Sequence, residues 1–313
     1  MKWVLRIISS LVILVIIGVG IVLIPAHIQI RGVTPALPSE EDLLALTTPS
    51  DALSGPTKLS YILTSSQPLA RGQISHISIL VEWENGRRFL IDAGMSRQEA
   101  ENFAALLKKM DPSAGQATVR GTISELLGPD TKYVAGVGFT HLHIDHTQGI
   151  KSFCDARGPG ALLLQTESQR KLHNFNTTEG AEIVFGSCLT RAAFSSGDNE
   201  SLYKFPQFPG IAALTLGGHT PGSTLWAVAL GDKVFLFSGD ITNDKASLNQ
   251  DTPKSAIYSY LLVPENTNRT SELRKWLHTL DQNDRFSVIV SHDLASTQLY
   301  LSAFVKDANF SKK

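Results

Sequence analysis

The stretch "THLHIDH", residues 140–146, sets three of the chain's nine histidines and an aspartate within six positions, from His141 to His146. It continues the apolar run "KYVAGVGFT", residues 132–140, which reads as a buried strand. Where a chain stays extended, residues two apart face the same side, so His141 and His143 can grip one cation. Asp145 and His146 follow the bend and can reach a second. One loop therefore seeds two metal positions.

A hydrolytic metal site needs further donors and an open position for water. Three candidates each stand where an apolar run ends: His219 in "LTLGGHTPGST", Asp240 in "VFLFSGDIT" and His292 in "VIVSHDL". The glycines before His219 permit close backbone approach, and a lone acid or imidazole after an apolar run sits at a sheet edge. His27, His76, His173 and His278 have no comparable company in the sequence and read as surface or hydrogen-bonded core residues.

Around these motifs the chain alternates between strand and helix patterns. Strand-length apolar runs occur in "LSYILTS", "HISILVEW", "RRFLIDAG", "GALLLQT", "AALTLGG", "TLWAVAL", "KVFLFSGD" and "FSVIVSHD". Helices are expected at residues 96–110, capped by Ser96, and at 270–280. The mixture predicts an α+β fold of sheets covered by helices. Residues 174–210 lack periodicity and read as a long insertion, in which Phe175, Phe194, Phe205 and Phe208 either wall a pocket or pack on the core.

The N-terminus is different. Residues 7–24 carry no charge and are closed by Pro25. As a helix they span roughly 27 Å, close to the hydrocarbon thickness and longer than a usual signal-peptide core. Residues 1–26 thus read as a membrane anchor or uncleaved signal, residues 27–58, rich in Pro, Ser and Thr, as a linker with one or two capped helical turns at residues 39–46, and residues 59–313 as the catalytic domain. Lys2 and Arg6 outweigh Arg31 across the segment, which orients the N-terminus to the cytoplasm and the domain to the periplasmic or extracellular side. The two cysteines, Cys154 and Cys188, suit either one disulfide or a pair of buried thiols. A net charge of −1 without a Lys/Arg block argues against nucleic acid and for a small-molecule partner.

"THLHIDH", "GGHTPGST", "FSGD" and "SHD", in this order and preceded by "FLIDAG", resemble the metallo-β-lactamase superfamily from about residue 59 onward. The resemblance implies an αββα sandwich, two mixed sheets flanked by helices with a dinuclear metal site at one edge. It implies that His141, His143 and His219 hold one metal, that Asp145, His146 and His292 hold the other, and that Asp240 bridges them. Asp92 corresponds to the first-motif aspartate, which supports the metal loop. His143 stands where the flavodiiron branch carries Glu, and the classical lactamase branches lack a bridging aspartate at the place of Asp240. The ligand set is similar to that of acylhomoserine-lactone lactonases, but their tyrosine three positions after the bridge is Asn243 here, with Tyr258 or Tyr260 as possible substitutes.

The reading is a zinc-dependent hydrolase in which a metal-bridging hydroxide attacks an ester, lactone or related acyl bond and Asp145 handles the proton. Iron or manganese would fit the same donors. The alternatives are phosphoester or phosphotriester hydrolysis, for which no phosphate-gripping basic cluster is evident, and a metal-binding scaffold without turnover.

Overall fold

Side chains along a strand face alternately to either side, so a strand that is apolar on both faces needs a hydrophobic partner on each. In residues 79–81 and 89–91 both faces are apolar, and the computed structural model, which describes residues 2–47, 55–70, 72–192, 195–196 and 202–304, supplies both partners. The strands in chain order are β1 (Lys58–Pro68), β2 (Gln73–Glu82), β3 (Arg88–Ile91), β4 (Thr118–Val119), β5 (Val134–Gly138), β6 (Leu162–Leu164) and β7 (Thr190–Arg191). They continue with β8 (Ser195–Ser196), β9 (Leu202–Lys204), β10 (Ile211–Thr215), β11 (Thr224–Leu230), β12 (Lys233–Phe237), β13 (Phe286–Ile289) and β14 (Ser302–Ala303). One sheet runs β14-β1-β2-β3-β5-β6-β7 with β4 beside β1, and the other runs β13-β12-β11-β10-β9-β8. Both are mixed, with β3, β5 and β6 parallel and β10 to β12 antiparallel.

Between the sheets Ile79, Val81, Phe89 and Ile91 meet Ala213, Trp226, Val228 and Phe237. On the outer face of the first sheet Leu80, Leu90 and Val137 pack under Ile123, Ile150 and Phe153 of the covering helices. On the outer face of the second, Leu214, Leu225 and Leu236 pack under Leu273, Leu277 and Leu280 of the helix Thr267–Asp281. This is the αββα sandwich. Trp226 is fully buried, and its loss would cost about 3–5 kcal/mol. Gly138 of β5 makes room for it: a Cβ there would lie 2.1 Å from the Trp226 ring. The sheets therefore close tightly just before the histidine loop.

Several expectations are refined. Ser96 caps the helix Arg97–Met110 through a bond from the Glu99 N–H. The described residues of 174–210 are more ordered than their composition suggests. They hold the helix Thr178–Phe185 and the short strands β7 to β9: β7 pairs with β6, β9 with β10, and β8 with β9. Phe205 and Phe208 lie in the core between the sheets, Phe175 is 43% exposed, and Phe194 lies outside the described residues. Cys154 and Cys188 form a disulfide that ties the helix Ile150–Arg157 to the turn between the helix Thr178–Phe185 and β7. Within the stretch read as a linker, Ser39 caps the helix Glu40–Leu44, and Leu43 and Leu46 are buried in the outer core of the second sheet.

The N-terminal helix runs over Lys2–Arg31 and does not stop at Pro25. Proline removes one backbone donor, but the last turns are held elsewhere: Ala26 and Ile30 are buried, and His27 Nε2 lies 3.0 Å from the Tyr260 carbonyl oxygen. The apolar part has a mean hydropathy of 3.2 over eighteen residues and is not buried by the domain, so it is long and apolar enough to cross a membrane, as a signal sequence also would be.

Candidate metal centre

Strand β5 delivers the histidine loop, and one carboxylate shapes it. Asp92, just beyond β3, adopts a left-handed backbone (φ 62°), a conformation that costs most side chains energy and that clusters at functional sites. Its Oδ1 accepts the Thr140 N–H at 2.8 Å, and its Oδ2 accepts the Thr140 hydroxyl at 2.8 Å and the His146 Nδ1–H at 2.9 Å. His143 is extended and precedes the short helix Ile144–Thr147, so His141 and His143 leave the loop before the bend and Asp145 and His146 after it.

The structure brings all seven expected ligands together. His141, His143 and His219 each offer a donor atom within 4.8 Å of the others, and so do His146, Asp240 and His292. Asp145 joins His141 and His146 within the same limit. Asp240 lies between the groups, with Oδ2 3.0 Å from His292 Nε2 and 3.9 Å from His219 Nε2, and Oδ1 3.6 Å from His146 Nε2. His146 Nε2, His219 Nε2 and Asp240 Oδ1 are buried without a hydrogen-bond partner. Each such atom costs about 1–3 kcal/mol when unsatisfied, and cations in the middle would satisfy all three. The donor set therefore fits a pair of divalent ions.

In four of the five rings the opposite nitrogen is engaged, as is usual for metal-ligating histidines, whereas His143 Nδ1 lies 3.0 Å from His141 Nε2 and its Nε2 has no partner. Besides the His146–Asp92 bond, His219 Nδ1–H donates to Glu265 Oε1 at 2.6 Å and His292 Nδ1–H to the Ser75 carbonyl at 3.0 Å, while His141 Nδ1 lies 3.2 Å from Thr140 Oγ1. Glu265 also accepts from Lys254 Nζ at 3.2 Å and from the Ser259 hydroxyl at 2.6 Å. Glu265 and Lys254 were not singled out by the sequence, because they follow no metal motif and stand 46 and 35 positions from His219.

His76 corrects the expectation that it plays an ordinary role. It is buried, its Nε2 has no partner, and it stands 3.7 Å from Asp145 Oδ2 and edge-on to the His292 ring. The other three histidines outside the motifs behave as expected: His27, His173 and His278 contact Tyr260, Arg170 and Asn249 away from the cluster.

Burial and the neighbouring charges divide the rings. Burial drives His141 well below its ordinary value and His143 down to about 3, with neighbouring imidazoles adding to the effect; burial and Lys254 lower His219. His146 goes the other way: burial opposes its charge, but Asp145, Asp92 and Asp240 hold it up at about 10. His292 is likewise raised against burial by Asp240. Asp145 and Asp240 are kept below the usual carboxylate range, despite burial, by the surrounding imidazoles. Of the two candidate tyrosines, Tyr260 is exposed, whereas Tyr258 is pushed well above the ordinary phenol value by burial and by the charges of Asp240, Glu265 and Asp145.

No curated relative is similar to the chain in sequence. Solved structures share its fold. An N-acyl homoserine lactone lactonase described as quorum-quenching is 16% identical, with a TM-score of 0.58 over 80% of this chain and 97% of its own. A B. thuringiensis protein, as a variant with N-decanoyl-L-homoserine bound at its active site, is 17% identical with a TM-score of 0.57 over 80% and 98%. A dizinc quorum-quenching lactonase is 14% identical with a TM-score of 0.51 over 77% and 92%. The sequence profile of the metallo-beta-lactamase superfamily matches residues 71–282, which include Asp92 and six of the seven expected ligands, and the chain belongs to that superfamily as a metal-dependent hydrolase.

Proposed function

We propose that the protein cleaves an ester, lactone or related acyl bond at a dinuclear zinc site, held by His141, His143 and His219 on one side and by Asp145, His146 and His292 on the other, with Asp240 between them. The observation that carries this reading is the convergence of buried, unpartnered donor atoms from four separate strand ends. A pair of divalent ions supplies Lewis acidity and a water made acidic enough to attack at neutral pH.

The chain's own residues do the rest. Asp145, 9% exposed and beside His146, accepts the proton released as water attacks and passes it to the leaving group. Asp92 and Glu265 keep the Nδ1–H tautomers of His146 and His219, so that each Nε2 faces inward. Tyr258 stays protonated among its acidic neighbours and serves as a hydrogen-bond donor to the oxygen that becomes negative. A cavity of about 770 Å³ opens against His292, lined by Leu69, Ile74, Asn243, Leu294 and Gln298, and has the size and mixed lining that suit a small acyl substrate. The structural neighbours that hydrolyse acyl homoserine lactones support the same substrate class.

The helix Lys2–Arg31 is proposed to anchor the protein once through the membrane, with the domain on the exported side. The Cys154–Cys188 disulfide supports that side, since such bonds persist in oxidising compartments. Parallel assays with p-nitrophenyl acetate, a γ-lactone and bis-p-nitrophenyl phosphate test the reaction class. Turnover of the first two is expected, and activity confined to the phosphodiester would replace the reading.

A further inference from the structure

His76 is built like the ligands and unlike a core histidine. In four of the proposed ligands, His141, His146, His219 and His292, Nδ1 is engaged by an oxygen behind the ring. His76 repeats this arrangement: its Nδ1 lies 2.9 Å from the Ser65 hydroxyl, and its Nε2 faces the cluster with no hydrogen-bond partner. Asp145 Oδ2, at 3.7 Å, is too far to be that partner. His27 and His173 also leave one ring nitrogen bare, but away from the cluster; the bare nitrogen of His76 stands beside Asp145 and His292.

The backbone is shaped to place it. The ladder between β1 and β2 shifts register between Leu63 and Ser65, and the extra residue sets Ser65 directly opposite His76. Such bulges occur next to active sites, where they re-aim a side chain. The edges of two rings, Phe103 at 5.1 Å and His292 at 5.3 Å between centroids, fix the plane of the imidazole. The adjacent Ser75 carbonyl holds His292 Nδ1, so one turn of the pleat serves both rings. His76, Asp145 and His292 each present a donor atom within 4.8 Å of the others.

We propose that His76 is a further protein ligand of the cation held by Asp145, His146 and His292, so that this position has five protein donors once Asp240 is counted. The inference rests on the cation pair proposed above. Five donors exceed the four of a tetrahedral zinc site, so this position suits an ion that accepts five or six ligands, while the trio of His141, His143 and His219 keeps a more open position beside it.

Anomalous diffraction on the full-length wild-type protein loaded with zinc tests the geometry without a variant. The expected result is an ion about 2.0–2.3 Å from His76 Nε2 as well as from His292. An ion there but more than about 3 Å from His76 overturns the inference and leaves the cation pair standing; no second ion at all overturns both. The companion experiment measures the affinity of the second ion by chelator competition in the His76→Ala and His76→Gln proteins. Each should bind that ion about 10–100-fold more weakly, with the first ion unchanged. Wild-type affinity for both ions in both variants would show that His76 is not a ligand.

Discussion

Around His141, His143 and His219 three imidazoles meet with no carboxylate in their own group, whereas His146 and His292 face Asp92, Asp145 and Asp240. Without a cation the two halves settle differently. The trio stays neutral because burial disfavours charge, with His143 lowered to about 3; His141 Nε2 and His143 Nδ1 lie 3.0 Å apart, and His219 Nε2 has no partner. The other half balances itself with internal ion pairs, at the cost of keeping protons on rings that a metal needs bare. A cation entering the trio displaces no proton, and one entering the second half displaces the proton of His146. The two positions should therefore differ in affinity and in its pH dependence.

The Asp240 carboxylate stands against rings of both halves, so Asp240→Ala should erase the difference. Hydrolysis is expected to fall by about 10⁴-fold or more, with both ions weakened, as read by steady-state kinetics and metal analysis. Retention of one tight ion in the trio together with wild-type turnover would mean that Asp240 does not join the two. Asp145→Ala removes a proposed donor of the second half, although the carboxylate also stands within 4.8 Å of His141. It should lower kcat by about 10²–10³-fold while the trio keeps its ion.

The supporting carboxylates sharpen the contrast further. Glu265→Gln should weaken the trio's ion, and Asp92→Asn the other, each by about 10–100-fold in affinity. Cross-effects of equal size would mean that the halves act as one unit. The smallest effect is that of pH. His146 is raised, so its protonated form is favoured below about 10 and the neutral, metal-binding form gains as pH rises. Lowering the pH from 8 to 6 should release the ion of the second half first, by about tenfold per unit for each proton displaced, while the trio holds its ion. Loss of both ions together would contradict the division.

Much of this was legible in the sequence for a simple reason: the ligands sit in motifs at strand ends, and local patterns announce strand ends. The runs "RRFLIDAG" and "KVFLFSGD" place Asp92 and Asp240 just beyond β3 and β12. His76 was not legible, because its partners Ser65, Asp145 and His292 come from three other segments and it stands inside a strand. The bulge in β1 that aims it leaves no mark in the hydrophobic pattern. Glu265 and Lys254 were hidden in the same way, in the irregular chain around the π-helical turn Tyr258–Leu262. Strands β7 to β9 were missed because two or three residues carry too little periodicity to register; pairing with a sheet edge makes them strands. Helix Lys2–Arg31 outlasted Pro25 because its last turns find contacts on the folded domain.

The central claim is that residues from four strand ends form one receptacle for two ions. Metal analysis of the purified full-length protein by mass spectrometry, after saturation with zinc and removal of loosely bound ions, tests it most directly. Two ions per chain, falling to one when the pH is lowered to 6, is the result expected. Fewer than one ion per chain at pH 8 would contradict it.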